Sequence, residues 1–199
     1  MHKRATSRSQ GAEVTDAGVR YRTWAPGKES VEAAIQSRDG KGRTVALCAE
    51  DDGYFSGMDP QGAPGDLYKY RFEGREWPDP ASRFNPDGVH GAAEIIDPRA
   101  YEWKDAGWIC PPLAELIIYE LHIGTFTPAG TFRGAIEKLD HLVRLGVNAI
   151  EIMPVAQFPG ARNWGYDGVL LYAPSRVYGR PNDFRALVDA AHARGLGVI

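Results

Sequence analysis

Cysteine is scarce in these 199 residues: Cys48 and Cys110 are the only two, and they lie far apart. Neither falls in a Cys–His spacing that suits zinc, and two distant thiols make no disulfide framework. No run of about 18 apolar residues occurs, which argues against a transmembrane helix. Residues 1–10 are basic and Ser-rich but lack the apolar core of a signal peptide, so a cytoplasmic setting is the default expectation. An excess of one charge is also missing: 23 Lys and Arg face 26 Asp and Glu, for a formal net charge of −3. Nucleic acids and anionic membranes recruit proteins through clustered positive charge, so neither is an expected partner. The remaining composition, 43% hydrophobic and 25% charged, is that of an ordinary globular chain.

Two grammars divide the sequence. Residues 1–11 read as a disordered tail. Residues 12–96 read as short strands: Val19–Trp24, Val31–Ile35, Thr44–Leu47, Tyr54–Phe55 and Leu67–Phe72. Asp39-Gly40, Asp52-Gly53 and Pro64-Gly65 separate them, because Gly and Asp tolerate the left-handed conformations of tight turns. Regular short strands with such turns predict an all-β, immunoglobulin-like sandwich, with Trp24 and Tyr70 in its core. Residues 97–112 are a Pro-rich linker whose Trp103 and Trp108 suggest packing rather than free motion.

From residue 113 the pattern becomes β-α-β-α-β. Leu116–Ile123 reads as a strand covered on both faces. Thr131 is placed to cap one helix carrying Phe132, Ile136, Leu139 and Val143, ending at Gly146. Val147–Val155 is a second strand. Asn182 is read as the cap of a second helix, stopped by Gly195, and Leu196–Ile199 begins a third strand. Such alternation predicts parallel, right-handed crossovers. The sequence stops within an apolar strand, so it reads as a piece of a longer protein whose barrel is incomplete over 113–199.

Four stretches then carry a resemblance: Tyr119-Glu-Leu-His-Ile-Gly-Thr-Phe126, Ile150-Glu-Ile-Met-Pro-Val155, Asn163-Trp-Gly-Tyr-Asp-Gly168 and Tyr178-Gly-Arg-Pro181. Together they resemble the opening of the (β/α)₈ catalytic barrel of the α-amylase family of glycoside hydrolases. Arg22-Thr-Trp-Ala-Pro26 and Pro80-Ala-Ser-Arg-Phe-Asn-Pro-Asp-Gly-Val-His-Gly91 resemble the sandwich that precedes that barrel in branching, debranching and trehalose-forming members. The resemblance implies hydrolysis of α-1,4 glucosidic bonds with retention, by a carboxylate nucleophile and a carboxylic acid. In the family those groups, and a third carboxylate, follow barrel strands 4, 5 and 7. No catalytic residue is therefore expected within 1–199, and no metal or cofactor is implied. The implied partner is an α-glucan or related malto-oligosaccharide.

One loop residue is expected to touch that sugar. Tyr166 follows the second barrel strand, on the face where barrel active sites are built, and the resemblance makes it the platform under the sugar to be cleaved. A flat ring suits the apolar C–H face of a pyranose, while Asp167 suits its hydroxyls, and Trp164 would support or extend the platform. Glu120, His122 and Glu151 read as a buried polar layer that pins strand register, with acid–base work as the competing role. A glycogen branching or debranching enzyme and a non-catalytic glucan-binding protein remain as alternatives.

Overall fold

Period-two burial builds the first half. The structure is a computed structural model that describes residues 9–199, and it divides the chain into two units. One unit runs to Pro86 and includes His90–Asp97; the other holds Asp87–Val89 and Pro98–Ile199. Of the tail expected over 1–11, residues 1–8 lie outside the described residues, while Gly11 already opens the first strand.

The first unit contains β1 (Gly11–Thr15), β2 (Gly18–Trp24), β3 (Val31–Gln36), β4 (Gly42–Ala49) and β5 (Tyr54–Asp59), then β6 (Leu67–Phe72), β7 (Arg75–Trp77) and β8 (Ala93–Glu94). Every pairing is antiparallel, in the order β1-β2-β5-β4-β3-β6-β7, with β8 on β6. Strand β4 pairs with β3 over residues 42–47 and with β5 at Cys48 and Ala49, so it carries the sheet from one layer to the next. The turn before β5 uses left-handed φ values of 60° at Asp52 and 79° at Gly53, as the Asp-Gly pair predicts.

Val19, Tyr21, Val31, Ala33, Ile35, Phe55, Tyr68 and Tyr70 form the core of this unit. Tyr68 stands edge-on to both Tyr21 and Tyr70, at 5.2 and 5.7 Å between ring centroids. Such edge contacts add about 0.5–1.5 kcal/mol each beyond area burial. Tyr70 is a core residue as expected; Trp24 is not. Trp24 is 57% exposed, and its indole N–H donates to the Asp52 carbonyl at 3.0 Å. The reason is parity. Val19, Tyr21 and Thr23 share the inner face of β2, which places Arg20, Arg22 and Trp24 on the outer one.

In the second unit, β9 (Ile118–Leu121), β10 (Ala149–Ile152) and β13 (Gly197–Val198) form a parallel sheet in the order β13-β10-β9. Three short helices follow β9: α1 (Ile123–Phe126), α2 (Phe132–Ile136) and α3 (Leu139–Leu145). After β10, a hairpin of β11 (Ala156–Gln157) and β12 (Leu170–Pro174) precedes α4 (Pro181–His192). Helix faces and sheet close over Leu121, Phe132, Leu139, Leu142, Ile150, Leu187 and Leu196.

Several local expectations are corrected. The strand read over Leu116–Ile123 runs from Ile118 to Leu121. β9 has β10 alone as its neighbour, and the helices pack on one face. The single helix expected from Thr131 to Gly146 is two, because Glu137 and Lys138 donate back three residues, to Gly134 and Ala135. Thr131 does cap α2, and Gly146 ends α3 at a φ of 91°. The buried face runs through Leu139 and Leu142, leaving Val143 outside. Arg180, not Asn182, caps α4: Pro181 takes the first helical position, and Asp183 accepts the Arg180 N–H at 2.9 Å.

Residues read as a linker are packed on α4. The Tyr101 hydroxyl donates to Asp189 at 2.7 Å, Asp105 lies 2.7 Å from His192 Nδ1, and Trp108 stacks on the His192 ring at 3.8 Å.

Back in the first unit, Asp79 is buried where the Tyr68 hydroxyl and the Ala81 N–H both donate to its carboxylate. Burial nonetheless pushes Asp79 from an ordinary 3.8 up to about 6. The folded state therefore binds this proton more tightly than the unfolded chain does. Its contribution is fully present below about pH 4 and fades as pH rises through about 6, by about 3 kcal/mol. Asp79→Asn removes the titration. Melting curves of both forms from pH 4 to 7.5 are expected to show the variant gaining on the parent as pH rises through 6. A pH-independent gap would exclude the assignment.

Candidate functional site

Parallel strands end together, so the loops that follow them meet. β10 pairs with β9 in register from Ala149↔Ile118 to Ile152↔Leu121, and the Met153 N–H donates to the Leu121 carbonyl at 3.0 Å. His122 leaves the end of β9 and Met153 the end of β10. A cleft of about 580 Å³ opens there, lined by His122, Thr125, Met153, Arg162, Asn163 and Trp164.

Three of the sequence motifs converge behind that cleft. Asn163 begins the Asn-Trp-Gly-Tyr-Asp-Gly stretch, Tyr178 begins Tyr-Gly-Arg-Pro, and His122 lies in the first motif. The Tyr178 hydroxyl donates to Asn163 Oδ1 at 2.8 Å, and His122 Nε2 lies 3.1 Å from the same oxygen. The Gly165 N–H donates to it as well, at 3.2 Å. Burial, and then the negative charge of Asp167, raise the Tyr178 hydroxyl above its ordinary value, so it stays a donor at neutral pH. On its Gly124 side the imidazole has no spare room: a Cβ on Gly124 would lie 2.9 Å from His122 Cε1.

Tyr166 and Trp164 stand out from this base. Their exposures are 71% and 82%, high for aromatic rings on a loop whose backbone is tied down. Asp167 is turned to the loop itself, its Oδ2 accepting the Trp164 N–H at 3.0 Å. Tyr166, Asp167 and Trp164 thus share one loop, with the two rings outward and the carboxylate bracing the backbone.

Glu120 and Glu151 are register partners on β9 and β10, as a shared polar layer requires, and they lie on the sheet face opposite the helices of the second unit. His122, two residues on from Glu120, is drawn into the Asn163 cluster instead. Asn163 and Tyr178 are not candidates on residue type alone, although each opens one of the motifs that carry the family resemblance. Among the described residues no group of three His, Cys, Asp or Glu side chains is placed to hold a metal ion, and no helix is long and apolar enough to cross a membrane.

Comparison with known proteins adds the following. Residues 74–199 match the family model of the alpha amylase catalytic domain, and residues 9–100 match carbohydrate-binding module 48, the isoamylase N-terminal domain. The chain is similar to the malto-oligosyltrehalose trehalohydrolase of Saccharolobus solfataricus, at 48% identity over 95% of this chain and 33% of that protein. It is 47% identical to the enzyme of the same name from Deinococcus radiodurans, over 92% of this chain and 29% of that one. A crystal structure of a Salmonella typhimurium protein described as an α-amylase superposes with a TM-score of 0.90 at 45% identity, over 98% of this chain and 33% of that one. The chain thus spans about a third of the length of the relatives it matches.

Gly165 is the backbone pivot of the loop. Its φ is +104°, and a Cβ there would meet Met153 Cε at 2.8 Å and His122 Cδ2 at 3.3 Å. Gly165→Ala is expected to cost roughly 1–3 kcal/mol in backbone strain and to loosen the loop. Amide exchange at residues 163–167 should speed up in the variant while exchange in β10 stays slow. Unchanged loop exchange would show that the conformation does not depend on this glycine.

Proposed function

We propose, because this chain belongs to the α-amylase family, that the whole protein hydrolyses the α-1,4 glucosidic bond of malto-oligosyltrehalose and releases trehalose with retention of configuration. The substrate follows the names of relatives at 48% and 47% identity, and the module-48 match over residues 9–100 accords with an α-glucan ligand. The structural observation that carries the reading is the outward Tyr166 ring, 71% exposed beside the joint end of β9 and β10. Barrel enzymes build their sites on that face.

Retaining hydrolysis needs a carboxylate nucleophile and a second carboxyl group about 5–5.5 Å away, which first protonates the leaving oxygen and then activates water. The family resemblance puts those carboxylates after strands 4, 5 and 7, whereas the parallel sheet here has three strands. Residues 1–199 alone are therefore proposed to bind sugar without cleaving it. In the complete site Tyr166 would stack beneath the reacting ring, Trp164 would lengthen the stacking surface, and Asp167 would hold the loop. As the sugar flattens toward an oxocarbenium ion, its contact with a flat platform improves, so the ring favours the transition state over the ground state. Glycogen branching is the neighbouring reading, with the same covalent chemistry and a sugar in place of water as acceptor. Product analysis separates the two, as trehalose release against new branch points.

In the full-length enzyme, Tyr166→Ala is expected to lower both kcat and kcat/KM, with a loss of about 1–3 kcal/mol, taking aromatic stacking on nucleobases as the guide. Tyr166→Phe should cost less. Tyr119 is the control: it sits on β9, 6.1 Å from the Phe126 ring, so its Ala variant should lose stability before turnover per folded molecule. A Tyr166→Ala enzyme with unchanged kcat and a lower melting temperature would assign Tyr166 to loop packing.

A further inference from the structure

We infer that Asn163 is a positioning residue that fixes the height and tilt of Tyr166 through the backbone of Gly165. The inference rests on the platform reading of Tyr166 and adds the machinery beneath it.

Asn163 Oδ1 is the meeting point of three separate segments. The Gly165 N–H reaches it at 3.2 Å, the Tyr178 hydroxyl at 2.8 Å, and His122 Nε2 at 3.1 Å. A backbone N–H can only donate, so the side-chain oxygen rather than the amide nitrogen faces this cluster. His122 Nε2 lies 3.1 Å from this oxygen and 3.3 Å from the Tyr178 hydroxyl, so all three groups share one hydrogen-bonded cluster. The side-chain oxygen thereby gathers the backbone of residue 165 and side chains from positions 122 and 178 at one point.

What the cluster holds is the residue next to Tyr166. Gly165 is pinned by its N–H, by its left-handed φ and by the Met153 and His122 side chains around its Cα. On the other side, Asp167 accepts the Trp164 N–H at 3.0 Å, closing the loop into a short ring. The Tyr166 side chain points out of this frame, so its position follows from the backbone. His122 and Tyr178 come from the end of β9 and the segment before α4, which ties the frame to both ends of the second unit's core.

The test compares four single variants of the full-length enzyme on malto-oligosyltrehalose, with rates expressed per folded molecule. Asn163→Leu removes the acceptor at similar volume and is expected to lower kcat about tenfold or more, since small misplacements of a positioning group are costly. Tyr178→Phe removes a single hydroxyl, keeps the fold intact and should lower kcat in the same direction by a smaller factor. Asn163→Asp keeps an acceptor oxygen and should retain kcat within about threefold of the parent. Tyr166→Ala is the fourth. Combined with Tyr166→Ala, Asn163→Leu should cost less than about twofold more, because both act through one ring. Losses that simply multiply, or Asn163 variants that lower only the melting temperature while Tyr166→Ala lowers kcat, would overturn the positioning role and leave the platform standing. If Tyr166→Ala itself leaves kcat unchanged, the platform reading falls, and this inference with it.

Discussion

The in-register pairing of β10 with β9 is the constraint from which the second unit follows. It sets Glu151 beside Glu120 and Ile152 beside Leu121, and it ends both strands at the same height. A shift by one residue would turn Ile150 and Ile152 away from the helices and expose a whole face. Because the strands end together, His122 and Met153 emerge side by side, and the loop between β10 and β12 can fold back over them. The cleft is a consequence of strand register before it is a matter of any one side chain. The same pairing is extended on the other flank, where the Ile199 N–H donates to the Ile150 carbonyl at 2.9 Å.

Much of this architecture is legible in the residues, and the failures share a cause. Thr131 and Gly146 mark helix limits because capping is local chemistry, settled within four residues of the chain. The Asp52-Gly53 turn is legible for the same reason. Trp24 lies outside the core because the alternation of Val19, Tyr21 and Thr23 on the inner face of β2 turns it outward. Arg180 as the α4 cap defeats residue-type preference, since the work falls to Pro181 at the first helical position and Asp183 reaching back. The pairing of Glu120 with Glu151 follows from parity on adjacent parallel strands, whereas what covers that face is a tertiary fact no window of sequence contains.

The candidate site divides along the same line. Tyr166, Asp167 and Trp164 can be picked out as candidates from the sequence because an aromatic-glycine loop after a barrel strand has a recognisable form. The oxygen of Asn163 cannot, because its three partners come from positions 122, 165 and 178. Only a structure brings such distant groups to one atom. The Asp167 carboxylate, expected to meet sugar hydroxyls, also accepts a loop N–H through Oδ2, and its negative charge helps raise the Tyr178 hydroxyl above its ordinary value.

A loop held in this way alters the energetics of what it presents. Exposed aromatic rings on a mobile loop would have to lose backbone and side-chain freedom on meeting a ligand, at roughly 1–2 kcal/mol for each residue ordered. Here the backbone around Tyr166 is fixed on folding, by a left-handed glycine and hydrogen bonds to Asn163 and Asp167, so that entropy is not lost again on binding. Preorganisation of this kind suits a surface that must meet a sugar whose shape changes during reaction. A rigid ring gains contact as the sugar flattens, whereas a ring free to follow the sugar would bind both shapes alike and leave the barrier unchanged. On the platform role proposed for Tyr166, the stiffness of the 163–168 loop is part of its chemistry and not only of its fold.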